Sequence, residues 1–134
     1  MHEIMDKKQI LQAKALCYFV GKGLEIISRT NEDFQEQFEE LDGIFQWQIC
    51  GEVNAYMVAT KGKFQSTLDA IHDAPTVTFE VADFEKAKEI LTGKIDGTSA
   101  YMAGDLNIMG DVQMGMKFAA LSEFLVNALS DLVS

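Results

Sequence analysis

The first forty residues carry apolar side chains at helical spacing. Within residues 6–27 the apolar positions recur three and four apart, which predicts a helix that Gly21 and Gly23 kink or end. Asn31 is followed by acidic residues and by phenylalanines four positions apart. Because a short polar side chain before an acidic first turn is typical of a helix start, a second helix is predicted over residues 31–41.

Beyond Gly43 the period of the apolar residues changes to two. Phe45, Trp47 and Ile49 alternate with polar neighbours, which predicts a strand with Trp47 on its buried face. A turn at Gly51–Glu52 then makes this strand the first half of a hairpin. Further strands are predicted at 53–60, 63–68, 76–81 and 105–109.

Three more helices are predicted after the fourth strand. Asp83 is placed to cap a helix that stops at Gly93, and a short turn of helix is expected over residues 99–103. Asp111 is a potential cap for a final helix that reaches about residue 133. The helices and strands together predict an α+β fold.

The final helix is more apolar than packing on a single surface requires. Its main stripe and the residues that widen that stripe are Met114, Met116, Phe118, Leu121, Phe124, Leu125, Ala128, Leu129 and Leu132. A face this wide must be covered on both sides. Three interpretations stay open: a helix sandwiched in the core, an oligomer interface, or a lid over an apolar ligand cavity.

Methionines cluster just before and inside this helix. Met102, Met109, Met114 and Met116 are flexible, polarizable side chains that suit a cavity for apolar ligands of differing shape. Ordinary filling of the core is the alternative interpretation.

Length and charge narrow the class of protein. The chain has 134 residues, as expected of one compact domain, and a net charge of −10. This negative charge repels the phosphates of nucleic acid, and we expect at most transient contact with anionic membranes. No apolar stretch is long enough to cross a bilayer. Cys17 and Cys50 are too few for a disulfide framework and fit a reducing cytoplasm.

No catalytic, metal or cofactor site is predicted. His2 and His72 are not spaced as two metal ligands on one face of a helix, and His72 is predicted to lie in a solvated loop. Gly110 and Gly115 have the spacing of a phosphate loop, but Met116 stands where lysine must reach the phosphates. We therefore expect no enzyme.

Three motifs in the second half of the chain form a recognisable series. Leu91-Thr-Gly-Lys94 ends the helix capped by Asp83, Ala100-Tyr-Met-Ala-Gly104 follows, and Leu106-Asn-Ile-Met-Gly-Asp111 precedes the final helix. In this order they resemble the sterol carrier protein 2 family of lipid-binding domains. The resemblance extends more weakly back to about Asn31.

The resemblance implies a five-stranded, mostly antiparallel sheet with helices on one face and an apolar tunnel between them. It implies binding of sterols, fatty acids or acyl-coenzyme A. Residues 31–134 would form the lipid-binding domain, and residues 1–30 an added N-terminal helical extension.

The leading hypothesis is therefore a cytoplasmic protein that binds a long-chain apolar lipid for carriage or transfer. The alternative is a non-catalytic accessory module that presents lipid to a lipid-modifying enzyme or assembles with one, and a homodimer is also considered. The residues expected to contact the lipid are Trp47, Met57, Phe79, Phe84, Leu91, Tyr101, Met102, Ile108, Met114, Met116, Phe118, Leu121, Phe124 and Leu125.

Overall fold

The computed structural model describes residues 4–133, with the side chains of residue 122 and residues 129–133 left out. Of the residues named from the sequence, His2, Leu129 and Leu132 therefore fall outside the described side chains.

Five strands form one sheet, and their bounds agree with the predicted strands to within two residues. They are β1 (Gly43–Ile49), β2 (Val53–Thr60), β3 (Lys63–Leu68), β4 (Val77–Val81) and β5 (Asn107–Gly110). The order across the sheet is β3-β2-β1-β4-β5. The β1–β4 pair is parallel and the other three are antiparallel, so the prediction of a mostly antiparallel five-stranded sheet is confirmed.

One face of the sheet carries the core. Phe45, Trp47 and Ile49 are all buried, so the predicted phase of β1 is correct. Residues in register with them on the neighbouring strands, such as Phe79 beside Trp47, share this face. The helices pack against it.

The opposite face of the sheet is crossed by the link from β3 to β4. Gln46, on that face, is fully buried beneath the link. Its Nε2 donates to the carbonyls of Ala55 and Ala70, each at 3.1 Å, and its Oε1 accepts from the backbone N–H of His72 at 2.8 Å. The link is held by these bonds, and His72 lies edge-on against Tyr56.

The second helix begins at the predicted cap, Asn31, and the first helix begins where the apolar pattern starts, with Asp6 as its cap. α1 (Lys7–Thr30) is capped by Asp6, and α2 (Glu32–Phe38) by Asn31, which accepts from the Phe34 N–H at 2.9 Å. α1 continues through Gly21 and Gly23 for one turn beyond its predicted end, whereas α2 stops short of Leu41. A Cβ on Gly21 would lie 2.6 Å from the Ser66 Cβ, so glycine lets α1 sit directly on β3.

The remaining helices are α3 (Phe84–Leu91), α4 (Gly97–Ala103) and α5 (Val112–Val133). Asp83 and Asp96 cap α3 and α4, and Asp111 Oδ1 accepts from the Met114 N–H at 3.0 Å at the start of α5. Gly115 brings α5 against β5, because a Cβ there would lie 2.8 Å from Ile108 Cγ2. The glycine at this position therefore has a packing role.

α1 belongs to the same core as the rest of the chain. Its buried residues include Ala13, Cys17, Val20 and Leu24, which pack in one cluster with the sheet and with α5. The described part of the predicted extension, residues 4–30, thus lies against the described part of the predicted domain of residues 31–134. Among residues 4–133, no helix combines the length and the apolar character needed to span a bilayer.

Candidate functional site

A cavity of about 760 Å³ lies between three helices and the sheet. Helices α1, α3 and α5 form its walls, and strands β1 and β4 form its floor. This volume is within the range of small-molecule binding pockets.

Stacked aromatic rings form the floor. Trp47 and Phe79 are register partners on the parallel β1–β4 pair, and their rings stack with centroids 4.6 Å apart and an interplanar angle of 24°. Phe118 of α5 lies across both, with centroids 5.2 Å from Phe79 and 6.1 Å from Trp47. The floor is therefore aromatic and rigidly packed.

The walls are mostly aliphatic. The apolar wall residues come from α1, from α3 and the segment after it, from the residue just before β5, and from α5. They are Leu16, Phe19, Val20, Ile90, Leu91, Ile95, Leu106, Ala119, Leu125 and Val126. Phe19 is 54% exposed, so the cavity reaches the surface beside α1.

The polar side chains on the lining are gathered at the outer edge. They are Thr92, Asp96, Glu123 and Asn127, all of them exposed. Two of these are carboxylates, and no lysine, arginine or histidine belongs to the lining formed by the described side chains. The backbone N–H of Ser99 donates to Asp96 at 2.9 Å and holds the pKa of that carboxyl below its usual value. The rim of the cavity is therefore acidic.

One polar atom of the floor lacks a partner. The Trp47 side chain is buried, and its Nε1–H has no hydrogen-bond acceptor in the described part of the chain. Buried donors are nearly always paired in native structures.

Five of the fourteen residues predicted to contact lipid are brought together on the lining. These are Trp47, Phe79, Leu91, Phe118 and Leu125. They come from four elements that are distant in sequence, so the fold assembles them.

The other nine predicted contacts lie away from the cavity. None of them belongs to its lining: Met57, Phe84, Ile108 and Leu121 are buried; Tyr101, Met114, Met116 and Phe124 are half-buried; and Met102 is 78% exposed. The methionine cluster therefore does not line this space. Met116 instead accepts a long hydrogen bond of 3.8 Å from Thr98 Oγ1 at its Sδ.

The contribution of α1 to the cavity is not among the contacts predicted from the sequence. Leu16, Phe19 and Val20 line the cavity and lie in the predicted N-terminal extension. The pattern that could have found them is the helical stripe itself, which includes all three residues. Ile90 of α3 likewise belongs to a run of apolar residues at helical spacing, with Phe84, Ala87 and Leu91.

The described side chains show neither a metal site nor an activated thiol. Among them, no group of three or more His, Cys, Asp or Glu residues is placed to hold a metal ion. Burial, with a smaller contribution from the charge of Asp69, raises the pKa of the Cys17 thiol to about 12. Cys17 is therefore a poor nucleophile.

Comparison with protein families gives one match that covers most of the chain. The model of the SCP-2 sterol transfer family matches residues 24–123. The match begins inside α1, between its cavity-lining residues and its C-terminal turn. No curated protein matches the chain in sequence.

Solved structures with the same fold include lipid carriers and part of an enzyme. The crystal structure of sterol carrier protein 2 has a TM-score of 0.63 and 15% identity, covering 85% of this chain and 92% of that protein. Palmitated SCP2L2 from Aedes aegypti has a TM-score of 0.58 and 16% identity, covering 88% and 95%. The sec-alkylsulfatase Pisa1 from Pseudomonas sp. has a TM-score of 0.55 and 16% identity, covering 65% of this chain and 14% of the enzyme.

Proposed function

The chain belongs to the SCP-2 sterol transfer family, and from that premise we propose that it binds a long-chain apolar lipid in the cavity between α1, α3 and α5. The observation that carries the proposal is the apolar lining of this 760 Å³ space, with an aromatic floor and aliphatic walls. A neighbour of the same fold, SCP2L2, was solved in a palmitated form. The protein would carry or transfer its lipid without chemical change.

Apolar burial supplies enough free energy for such binding. Each buried methylene contributes about 0.8 kcal/mol, so fourteen contribute about 11 kcal/mol, and the part left after the lipid's lost translational and internal freedom is offset appears as affinity. We expect micromolar or tighter binding of a fatty acyl, sterol-like or isoprenoid molecule. Among the contacts predicted from the sequence, we assign Trp47, Phe79, Leu91, Phe118 and Leu125 to this lipid.

The polar end of the lipid would lie at the rim. Thr92, Glu123 and Asn127 are exposed at the edge of the lining, where a headgroup keeps contact with water. Release of the lipid would occur past Phe19, which lies half in the cavity and half in solvent. The two buried cysteines suit a reducing environment, and we place the protein in the cytoplasm.

A second candidate function is a non-catalytic accessory module that presents lipid to a lipid-modifying enzyme or assembles with one. The observation that favours it is the occurrence of this fold as 14% of the length of an alkylsulfatase. α1 also exposes Leu11, Tyr18 and Ile26, which offers apolar surface to a protein partner or to a second copy of the chain.

Blocking the cavity tests the proposal. Leu16 is half-buried on the α1 wall, so Leu16→Trp should occupy the space and weaken lipid binding at least tenfold. The matched control is Leu11→Trp, the same substitution on the same helix at a position 67% exposed and away from the lining. Titration with fluorescent fatty acid and isoprenoid analogues measures the affinity, and native mass spectrometry detects lipid retained through purification.

The outcomes separate the two candidate functions. Saturable binding that Leu16→Trp removes and Leu11→Trp preserves supports the lipid carrier. If neither class of analogue binds the unmodified protein saturably and no lipid is retained, lipid carriage and lipid presentation are both excluded, and only a module that assembles with a lipid-modifying enzyme remains.

A further inference from the structure

The outer side of α1 carries a continuous apolar face. Leu11, Tyr18, Phe19 and Ile26 are each more than half exposed, and they are four of the eight large apolar side chains that the described residues leave exposed. At 3.6 residues per turn, these four positions fall within about 100° of the helix circumference. A contiguous apolar face on a folded protein marks an interaction surface.

This face is symmetric about the middle of the helix. Leu11 lies seven residues before Tyr18, and Ile26 lies seven residues after Phe19. The midpoint between residues 18 and 19 is also the midpoint of α1 (Lys7–Thr30). If a second α1 packs antiparallel with a twofold axis at this point, Leu11 lies level with the partner's Ile26, and Tyr18 with the partner's Phe19. The face is therefore self-complementary, as a twofold contact between identical chains requires.

The residues between these apolar positions allow two helices to approach closely. Ala15 is small and exposed, and it lies level with the partner's Lys22. The charge of Lys22 is already paired, because its Nζ lies 3.3 Å from Glu25 Oε1 and 5.8 Å from the centroid of the Tyr18 ring. The two copies of Lys22 lie about 10 Å apart along the helix axis, which is one screening length at 0.1 M salt. Lys22 therefore adds its aliphatic stem to the contact with little like-charge repulsion.

The charges at the two ends of α1 are complementary in this arrangement. α1 contains five basic residues and one acid, and the next twelve residues contain six acids and no base. The exposed Lys7 and Lys8 of one copy lie at the level where the partner's α2 begins, with Glu32 and Asp33 exposed in its first turn. Opposite charges thus meet at both ends of an antiparallel pair, whereas a parallel pair places like charges together.

The area of the contact is that of a weak, concentration-dependent dimer. A half-exposed aromatic side chain leaves about 100 Å² in water. The four apolar side chains, together with Ala15 and the stem of Lys22, bury on the order of 1,000 Å² over two copies, at the low end for specific interfaces. A dissociation constant on the order of 10 μM is therefore expected.

We propose that two copies of the chain pair through α1 as an antiparallel twofold dimer, with the axis between Tyr18 and Phe19. Phe19 also borders the cavity, so each Phe19 meets the partner's Phe19 at the mouth. This part rests on the proposed lipid-binding function: the dimer is the form that retains lipid, and the monomer is the form that releases it past Phe19.

Exchange of the charges at the helix ends tests the pairing. Lys7→Glu/Lys8→Glu and Glu32→Lys/Asp33→Lys should each weaken self-association about tenfold or more, because each homodimer then places like charges at both ends. An equimolar mixture of the two variants should form a heterodimer, since every end contact is again between opposite charges. Sedimentation velocity from low to high micromolar protein measures the three samples, and circular dichroism checks that each variant is folded.

Cysteine cross-linking tests the register. Tyr18→Cys lies next to the twofold axis, so its two thiols should form a disulfide when copper phenanthroline is the oxidant. Ile26→Cys is the matched control on the same exposed face, because its two copies lie about 22 Å apart along the helix axis and are too distant to bridge. A mixture of Leu11→Cys and Ile26→Cys should cross-link where neither variant does alone. The two native cysteines are buried and do not compete.

The cross-linked dimer tests the role in lipid release. Linked Tyr18→Cys protein should release a fluorescent fatty acid analogue about fivefold more slowly than the same protein reduced and diluted below micromolar concentration, because the mouth beside Phe19 is covered. At that dilution the monomer predominates, so Leu11→Trp still leaves the lipid affinity unchanged. Equal release rates in the linked and reduced forms exclude the role in retention and leave the dimer standing.

Other occupants of the face give different results. An unmodified protein that stays monomeric at every concentration overturns the dimer. If this monomer floats with phosphatidylglycerol vesicles, and Lys7→Glu/Lys8→Glu removes the flotation, the face binds an anionic membrane surface instead. A dimer that neither the charge exchange nor the Tyr18→Cys cross-link detects has its interface elsewhere, which overturns the α1 pairing. Self-association is measured without lipid, so failure of the dimer is distinguishable from failure of the proposed function.

Discussion

Beneath its helices the molecule has two apolar regions that share a sheet and a helix but differ in how fully they are filled. One is an aromatic cluster of Phe34, Phe38, Phe45, Phe64 and Phe124, whose ring centroids lie 4.9–6.4 Å apart. The other is the cavity above Trp47 and Phe79. Successive residues of α5 separate them, because Phe124 joins the cluster and Leu125 lines the cavity.

The difference follows from what each region receives from the flanking helices. α2 brings Phe34 and Phe38 over β3, and large rings close that side. On the other side, Ile90 of α3 and Ile95 of the segment after it are smaller than phenylalanine, Gly97 at the start of α4 has no side chain, and space remains.

The wide apolar face of α5 is thereby explained. α5 is a core helix beside the aromatic cluster and a wall beside the cavity. The interpretation of α5 as a lid over a bound ligand stays a prediction. An oligomer interface on α5 remains a prediction, because the structure contains one chain.

The largest loss of stability is expected from a substitution in the aromatic cluster. Phe34 is fully buried and contacts three other rings of the cluster, so Phe34→Ala should lower the free energy of unfolding by about 3–5 kcal/mol. Urea unfolding measures this. The folded fraction should keep its lipid affinity, because Phe34 does not line the cavity. A loss under 1 kcal/mol would show that this region is less tightly packed than its ring geometry indicates.

An identical substitution on the two sides sharpens the contrast. Leu121 is fully buried and away from the cavity, so Leu121→Trp should overpack the core and cost roughly 1–3 kcal/mol. Leu16→Trp has the cavity to enter and should cost less than 1 kcal/mol while weakening lipid binding. Chemical denaturation and lipid titration of both variants decide the matter. A Leu121→Trp protein of ordinary stability that no longer binds lipid would place the ligand beneath Leu121 instead.

Local chemistry made the secondary structure predictable. Asp6, Asn31 and Asp83 are side chains that accept hydrogen bonds from free N–H groups at helix starts, and each caps the helix expected there. Alternation of apolar residues gave the phase of β1 correctly, because a strand sends successive side chains to opposite faces. Helix capping and strand alternation both depend on residues that are close together in the sequence. They can therefore be predicted without knowledge of the tertiary structure.

The position of the cavity was not predictable in this way. Leu121 and Leu125 lie on the same predicted stripe, yet one is in closed core and the other on the lining. A leucine that lines a cavity and a leucine that packs against an aromatic ring are both removed from water. Because the hydrophobic effect does not depend on what covers the side chain, the sequence pattern is the same in both cases. Met102 shows the converse, because its thioether suits a cavity and its place on α4 exposes it.

The smallest expected effect concerns how α1 spans the two regions. Toward its C-terminal end α1 is fastened to β3 by Glu25, whose Oε2 accepts from the Ser66 N–H at 2.8 Å and from the Ser66 hydroxyl at 2.6 Å. Lys22 adds an ion pair of 3.3 Å to the same carboxylate. The half of α1 that lines the cavity, around Leu16, precedes this attachment.

The pKa of Glu25 makes the attachment pH-dependent. Burial acts to raise the pKa of this carboxyl, but the bonds from Ser66 and Lys22 outweigh it and lower the pKa below its ordinary 4.5. A group with a lowered pKa in the folded state stabilises the protein above its unfolded pKa. That contribution is lost as the pH falls through the folded value.

Glu25→Gln should therefore flatten the acid side of the stability profile. Between pH 7 and pH 3 the unmodified protein should lose roughly 1 kcal/mol more free energy of unfolding than the variant, since a hydrogen bond to a charged group that is partly exposed contributes about that much. Urea unfolding at the two pH values measures the difference, and Ser66→Ala should show a smaller pH dependence than the unmodified protein for the same reason. Lipid affinity at pH 7 should be unchanged in Glu25→Gln, because Glu25 does not line the cavity. If the lipid affinity of Glu25→Gln falls together with its free energy of unfolding, the attachment of α1 to β3 also affects the half of α1 that lines the cavity. The aromatic cluster and the cavity are then not independent.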